Sequence, residues 1–134
     1  MRDYYGAHPF PSREEFRLWE LETENHYDIE IVNPFYDLGR EDIKAVDEGL
    51  KERYDFDPAT IVLRDITAML SCQKVLVWIN GEFSIGTIIE FIIAVFLRKE
   101  THVVVTNGHQ DHPWIKYFAT EIYTSFDEFV DNEL

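Results

Sequence analysis

The sequence has little cysteine and little positive charge. Cys72 is the single cysteine among 134 residues, so an intramolecular disulfide and a cysteine-based zinc site are both excluded. Only 12 lysines and arginines stand against 26 aspartates and glutamates, a formal net charge of −14. Binding to a polyanion needs a basic stripe that releases counterions, and the sequence has none, so a nucleic acid polymer is not expected as a partner. A small anion remains compatible, because local amides and one or two arginines outweigh a diffuse negative field.

Long hydrophobic runs are also missing. The longest, Ile85 to Leu97, is interrupted by Glu90 and is too short to span a bilayer. The N-terminus lacks the basic and then apolar pattern of a signal peptide. We therefore expect a soluble, cytoplasmic protein with no membrane partner. The hydrophobic share of 46% and the aromatic share of 15% indicate a folded chain, and the length predicts a single domain over residues 1–134 with one core.

Apolar segments alternate between strand and helix patterns along the chain. The predicted strands are Tyr4 to Ala7, Tyr27 to Val32, Val75 to Ile79, His102 to Thr106 and Glu121 to Tyr123. The predicted helices begin after Ser12, span Pro58 to Ser71, Ser84 to Arg98 and His112 to Phe118, and begin again after Ser125. This order predicts an α/β, flavodoxin/Rossmann-like three-layer sandwich with a mostly parallel five-stranded sheet and right-handed crossovers.

The segment from Phe35 to Asp57 is charged and has only a weak helical face. We interpret it as an excursion from the sheet that could act as a lid. Asp57 and Pro58 are placed to cap and begin the helix that follows it.

Two loops are expected to meet where a ligand would bind. In open α/β sheets ligands lie beyond the carboxyl ends of the strands, and here these ends carry His8 to Arg13 and Asn80 to Ser84. The helix that follows Ser84 has a glycine in its first turn, Gly86, where free amides favour an anion. It also carries Glu90 among isoleucines and phenylalanine, which indicates a carboxylate lining a cavity rather than a solvated face. Such a carboxylate can act as a nucleophile at a sugar carbon.

The run Ser84-Ile85-Gly86-Thr87-Ile88-Ile89-Glu90 resembles the signature of the nucleoside 2-deoxyribosyltransferase family, including its nucleoside 5'-monophosphate N-glycosidase branch. In that family a Gly-x-x-x-Glu run carries the nucleophile. Three further segments, which together span nearly the whole chain, agree with the resemblance: Tyr4-Tyr5-Gly6-Ala7-His8-Pro9-Phe10 with Arg13, then Arg64-Asp65, then Thr120-Glu121-Ile122.

The resemblance implies a role for each matching residue. Glu90 is the implied nucleophile, Tyr4 positions its carboxylate, and Asp65 lies near the leaving base. The implied substrate contacts are Ser84, Gly86, Thr87, Gly6, His8, Phe10, Arg13 and Thr120, with Thr120 donated by a neighbouring subunit. The family therefore implies a homodimer or higher homo-oligomer, and it needs neither cofactor nor metal.

Within the family, the residue six positions before the nucleophile separates two kinds of substrate. Members that act on free nucleosides tend to have Asp there, whereas members that act on nucleotides have Ser, because a carboxylate repels a phosphate and a hydroxyl can donate to it. This chain has Ser84. Phe10 in Ala-His-Pro-Phe also resembles a residue that lies over the base in pyrimidine-monophosphate glycosidases. It stands where some nucleotide hydrolases have Arg, which leaves Arg13 or Arg17 for the phosphate.

The resulting hypothesis is cleavage of the base–sugar bond of a (deoxy)nucleoside 5'-monophosphate. Transfer of the deoxyribosyl group to a second base and a non-catalytic nucleotide-binding sensor are the alternatives. Gly86-Thr87-Ile88-Ile89-Glu90 also resembles the Gly-Thr-x-x-Glu of cytokinin-activating phosphoribohydrolases, but the Pro-Gly-Gly upstream of that motif is absent. His109 and His112 lie in a turn-rich stretch with no third ligand, so we predict no metal site.

Overall fold

The computed structural model describes residues 1–39, 44, 47–49 and 57–134. Its strands are β1 (Arg2–Ala7), β2 (Ile31–Val32), β3 (Cys72–Ile79), β4 (Glu100–Val105) and β5 (Glu121–Tyr123). Its α-helices are α1 (Arg13–Tyr27), α2 (Pro58–Leu70), α3 (Ile85–Phe96), α4 (Pro113–Phe118) and α5 (Phe126–Glu133), and a 3-10 turn (Phe10–Ser12) precedes α1.

The five strands form one sheet in the order β2-β1-β3-β4-β5, and every pairing is parallel. Helices cover both faces of this sheet. Residues of α2 and α3 pack with Tyr5, Val75 and Val103 on one face, and residues of α1 and α5 pack with Tyr4 and Leu76 on the other. The predicted α/β three-layer sandwich is therefore confirmed. All the strand ends that could hold a ligand lie at one edge of the sheet.

Side-chain caps fix the starts of α2, α3 and α5. Asp57 accepts a hydrogen bond from the Thr60 amide at 3.3 Å, with Pro58 at the first helical position. Ser84 and Ser125 accept from the amides three residues further on, and the sequence pattern predicts this cap at Ser125. The cap at Ser84 sets the direction in which α3 leaves the carboxyl end of β3.

The helix α1 begins after Ser12 as predicted, but the predicted cap at Ser12 and the predicted bounds of the second strand are wrong. Ser12 makes no capping bond, because the 3-10 turn leads directly into α1, and its hydroxyl instead accepts from Asn80 Nδ2 at 2.9 Å. The predicted second strand, Tyr27 to Val32, is reduced to Ile31–Val32. The helix α1 continues through Tyr27 and ends where Asp28 turns left-handed with φ of 54°.

The proposed lid between Phe35 and Asp57 falls largely outside the described residues.

Within the described ranges, no helix combines the length and the apolar character that a bilayer crossing requires.

Candidate active site

Glu90 lies on one flank of α3 rather than on its sheet-facing side. The buried residues of α3 are Thr87, Phe91 and Ala94, at the spacing of one helical face, and they pack against the sheet. Glu90 precedes Phe91 and is only partly exposed. Its carboxylate is therefore set between the sheet and the solvent, where it can meet both a protein group and a ligand.

The group that holds Glu90 is Tyr5. Tyr5 is fully buried in β1, and its hydroxyl donates to Glu90 Oε2 across 85 residues of sequence. Because successive side chains of a strand point to opposite faces, Tyr5 projects to the layer that contains α3. A hydrogen bond from a buried, immobile ring fixes the orientation of the carboxylate.

The predicted partner of Glu90, Tyr4, is on the other face of the sheet. Its ring makes edge contacts with His102 at 6.0 Å and Phe129 at 5.5 Å, in the layer of α1 and α5. Burial, followed by the charge of Glu133, raises the pKa of Tyr4 to about 12. Assigning the role to Tyr4 was therefore wrong by one residue, which in a strand means the wrong side of the sheet.

Gly86 leaves open space in front of the carboxylate. It lies one turn before Glu90 on the same flank, and a Cβ built on it would stand 3.7 Å from Glu90 Oε1. Any larger side chain would extend further into this space. The arrangement fits a cleft in which a substrate approaches Glu90 from the side of Gly86.

The polar groups at the start of α3 are largely occupied by one another. The Thr87 amide donates to Ser84 Oγ at 3.2 Å, and the two hydroxyls are 2.7 Å apart. Thr87 is buried. The Thr87 side chain, one of the predicted anion contacts, is thus turned towards the protein. An α-helix leaves its first-turn amides without intrahelical partners, and here these include the amides of Ile85 and Gly86.

Phe10 and Arg13 form a unit at the carboxyl end of β1. The Arg13 guanidinium lies 3.8 Å from the centre of the Phe10 ring and donates to the Phe10 carbonyl at 3.0 Å. It also pairs with Asp47 at 2.6 Å, and the Asp47 side chain is half exposed. The Phe10 ring meets Phe35 edge-on at 5.3 Å. The guanidinium therefore lies over one face of the Phe10 ring in the loop after β1.

Two predicted substrate contacts, His8 and Gly6, instead serve packing. The His8 ring is buried and stacks on Phe16 at 4.0 Å, with Nδ1 2.9 Å from the Gly6 carbonyl, and burial lowers its pKa to about 4. A Cβ on Gly6 would stand 2.7 Å from Phe16 Cζ, so glycine is needed for α1 to approach β1. Both residues face α1, on the side of the sheet away from Glu90.

Asp65 and Thr120 have different relations to the cleft. Asp65 is partly buried on α2, one turn before the buried Ala68 and Met69, in the same layer as α3. Thr120 immediately precedes β5, the outermost strand on the side of the sheet farthest from β2. Its hydroxyl accepts a hydrogen bond from the Thr101 amide at 3.0 Å. Thr120 therefore cannot join the cleft of its own chain, and its predicted role requires a second copy.

A pocket of about 390 Å³ lies on the outer side of the start of α3. The pocket is mainly apolar and lies at the carboxyl ends of β3 and β4. Its lining includes Trp78 of β3, Phe83 of the following loop, and Ile85 and Ile88 of α3. The indole N–H of Trp78 has a hydrogen-bond acceptor within the protein, because it donates to Thr106 Oγ1 at 2.9 Å. This pocket adjoins the cleft at Glu90 but does not include the carboxylate.

The described residues contain no cluster of three side chains suited to a metal ion. His112 caps α4, accepting from the Trp114 amide at 3.2 Å, and Asn107 Oδ1 accepts from the His109 amide. Asn107 and His112 therefore stabilise the turn and the start of α4.

The sequence matches no protein-family model and no curated protein significantly. A solved structure is similar to it: the 2-deoxyribosyltransferase from the psychrotolerant bacterium Bacillus psychrosaccharolyticus, characterised as a biocatalyst for the synthesis of antiviral and antitumoral nucleosides. The two chains superpose with a TM-score of 0.70 at 14% identity, over 98% of this chain and 92% of the other. At this identity the likeness establishes the architecture. The protein therefore shares the flavodoxin-like fold of a 2-deoxyribosyltransferase.

Proposed function

We propose that this protein is an N-glycosidase that cleaves the base–sugar bond of a (deoxy)nucleoside 5'-monophosphate, with Glu90 as its nucleophile. The observation that carries the proposal is the hydrogen bond from the buried Tyr5 hydroxyl to Glu90, beside the open space at Gly86. A solvated helix residue would not need a donor from the centre of the sheet. The fold shared with a 2-deoxyribosyltransferase supports the same chemistry.

The reaction proceeds in two steps that conserve charge and protons. The Glu90 carboxylate forms a bond to C1' while the bond from C1' to the base nitrogen breaks, and Asp65 gives a proton to the departing base. Water then attacks C1', the bond to Glu90 breaks, and the proton lost by the water returns to Asp65. The products are the free base and the sugar phosphate. Tyr5 keeps Glu90 aligned throughout.

The phosphate would bind between the start of α3 and the loop after β1. First-turn amides at Ile85 and Gly86 point towards an anion at this end of the helix. Arg13 supplies a cation whose present partner, Asp47, is exposed. The half-exposed Asp47 carboxylate can return to solvent, so a phosphate can take its place beside Arg13. The ring of Phe10 then lies beside the base.

Deoxyribosyl transfer is the second candidate, and the activity of the similar solved protein favours it. It uses the same first step, and a second base replaces water in the next. The glycosidase and the transferase therefore differ in which molecule attacks C1' of the sugar bound to Glu90. Retention of a nucleotide without cleavage would instead identify a sensor.

The test is a base-release assay on ribo- and deoxynucleoside monophosphates and free nucleosides, with and without an acceptor base. We expect base release from a monophosphate in water alone, and Glu90→Gln should abolish it, because the amide cannot attack C1' yet can still accept from Tyr5. Glu22→Gln, at an exposed carboxylate of α1 in the opposite layer, is the matched control and should keep full activity. Full activity of Glu90→Gln would overturn the assignment. Turnover that depends on the acceptor base would indicate the transferase, and binding without any release would indicate the sensor.

A further inference from the structure

Glu20 is a fully buried carboxyl group in the middle of α1 that takes no part in the proposed reaction. Its Oε1 accepts hydrogen bonds from Arg17 Nη1 at 2.7 Å and from Asn33 Nδ2 at 3.0 Å. Its Oε2 has no hydrogen-bond partner among the residues that the structure describes. A buried polar atom without a partner costs free energy, and an apolar side chain of similar size would avoid that cost. The carboxyl group at this position therefore indicates a role in orienting its two partners.

Asn33 lies at the carboxyl end of β2 and organises the turn from Asn33 to Asp37, here called the Asn33 turn. Its Oδ1 accepts from the Phe35 amide at 3.0 Å, and its carbonyl accepts from the Asp37 amide at 2.8 Å. Its own amide donates to Asp37 Oδ2 at 2.8 Å. Because Glu20 Oε1 is an acceptor, the side-chain nitrogen of Asn33 faces Glu20 and the side-chain oxygen faces Phe35.

Arg17 connects the other end of the Asn33 turn to α1. Its Nη1 donates to Asp37 Oδ1 at 3.0 Å as well as to Glu20, so the helix and the turn share one guanidinium. Hydrogen bonds therefore link Arg17, Glu20, Asn33 and Asp37 in a closed ring. Each group in the ring restricts the next, so the ring fixes the position of the Asn33 turn relative to α1.

The Asn33 turn brings Phe35 to the loop after β1. The Phe35 ring meets the Phe10 ring edge-on at 5.3 Å and the buried His8 ring edge-on at 5.0 Å. On the Phe10 ring a second contact comes from the Arg13 guanidinium, 3.8 Å from the ring centre. The orientation of Phe10 thus depends on Phe35, and the position of Phe35 depends on the ring of hydrogen bonds at Glu20.

We propose that Glu20 is a positioning residue for recognition of the base, because through Asn33 it places Phe35 against Phe10. This role rests on the proposed function, in which Phe10 lies beside the base. Glu20 is buried and does not touch the substrate. A turn that shifts lets the Phe10 ring move away from the base and weakens binding, while Glu90 and Tyr5 are unaffected in the other layer of the molecule. The effect therefore falls on KM rather than on kcat.

Steady-state kinetics of Glu20→Leu and Glu20→Gln tests this role on the monophosphate that gives base release. Leucine fills most of the buried space but accepts no hydrogen bond, whereas glutamine keeps an oxygen for Asn33. We expect Glu20→Leu to raise KM roughly three- to tenfold and to keep kcat within about twofold, which is the size of an aromatic contact. Glu20→Gln should keep the wild-type KM.

Thr23→Val is the matched control, because Thr23 is a second buried polar side chain of α1. It should leave KM unchanged even where it lowers the melting temperature, so a general loss of stability is separated from a shift of the turn. An unchanged KM in folded Glu20→Leu would overturn the proposal. An equal rise of KM in Glu20→Gln, or in Thr23→Val, would overturn it as well.

Hydrogen exchange measured by NMR follows the Asn33 turn without any substrate. The Phe35 and Asn33 amides should exchange roughly tenfold faster in Glu20→Leu, because their acceptors are no longer held in place, and at the wild-type rate in Glu20→Gln. Wild-type exchange in Glu20→Leu would contradict the role of Glu20 whatever the protein cleaves. Faster exchange in this variant, with no base release by the wild type, would support the control of the turn and contradict the proposed function alone.

Asp37→Ala tests the same ring of hydrogen bonds if Glu20→Leu does not fold. Asp37 is exposed, and its loss removes an acceptor from both Asn33 and Arg17. We expect a rise of KM in the same direction and faster exchange of the Asn33 amide. Wild-type values of both would overturn the proposal.

Discussion

Two neighbouring tyrosines in β1 serve opposite layers of this molecule. Tyr5 points to α3 and gives its hydroxyl to Glu90, while Tyr4 packs among aromatic rings on the side of α1 and α5. Both rings are buried, so hydropathy alone cannot tell them apart. The difference between them is one step of the strand's alternation, and it decides which ring can act on the carboxylate.

Removing each hydroxyl in turn separates these roles. Tyr5→Phe should lower kcat/KM for base release about 10- to 100-fold, because a hydrogen bond to a charged group contributes about 1.5–3 kcal/mol. Tyr4→Phe should leave kcat/KM within about twofold, since its hydroxyl is on the far side of the sheet. Steady-state kinetics and thermal unfolding of the two variants provide the comparison. A larger loss of activity in Tyr4→Phe than in Tyr5→Phe would contradict the site.

The sequence singled out Glu90 but not the tyrosine that donates to it. Glu90 stood out because an apolar helix gives a lone carboxylate no obvious solvated face. Ser84 was correctly predicted as the start of that helix, whereas its use by Thr87 was not. His8 was misread because a histidine after a strand has the same appearance whether it stacks on Phe16 or binds a ligand. Such distinctions depend on which face each strand residue takes, and that is fixed by tertiary packing.

At the scale of elements, Gly6 and Gly86 differ in the space that is available for a side chain. A Cβ on Gly6 would collide with Phe16, which lies between β1 and α1, whereas a Cβ on Gly86 meets only Glu90 at an ordinary distance. Gly6→Ala should therefore destabilise the fold by roughly 1–3 kcal/mol. Gly86→Ala should keep or raise stability, because alanine favours a helix by about 1 kcal/mol. It should nevertheless lower activity by filling the space beside Glu90.

Chemical denaturation together with the base-release assay checks both glycines. Gly6→Ala is expected to retain activity per folded molecule while its unfolding midpoint falls. The reverse pattern, a stable but inactive Gly6→Ala or an unstable Gly86→Ala, would show that the cleft and the packing contact have been exchanged.

Elements with strong local signals were predicted well, and those defined by tertiary contacts were not. The starts of α2 and α5 follow from Asp57 and Ser125, whose side chains cap the helices. The stretch from Tyr27 to Val32 alternates like a strand, yet only Ile31–Val32 pairs with β1. The helix α1 continues through Tyr27 until Asp28 ends it, and a local alternation pattern does not reveal where a preceding helix stops.

At the scale of the whole molecule, two buried ionisable groups oppose one another in their dependence on pH. Burial lowers the pKa of His8 from 6.5 to about 4. Burial also raises the pKa of Glu20 from 4.5 to about 7, against the hydrogen bonds from Arg17 and Asn33. Between pH 4.5 and 6.5 the folded chain therefore holds a proton on Glu20, while the unfolded chain holds one on His8. The two contributions to the pH dependence of stability largely cancel in this window.

Glu20→Gln should expose the contribution of His8. A histidine with a lowered pKa stabilises the fold above pH 6.5, and this stability is lost as the pH falls towards 4. In the wild type, Glu20 offsets the loss, because a carboxyl with a raised pKa contributes stability that is complete below pH 4.5 and disappears as the pH rises towards 7. The variant lacks this offset while keeping the shape of the side chain and an oxygen for Arg17 and Asn33. Its free energy of unfolding, measured by denaturant titration from pH 7 to pH 4.5, should therefore fall relative to wild type by ~2 kcal/mol. Parallel stability curves for the two proteins would mean that Glu20 does not gain its proton on folding.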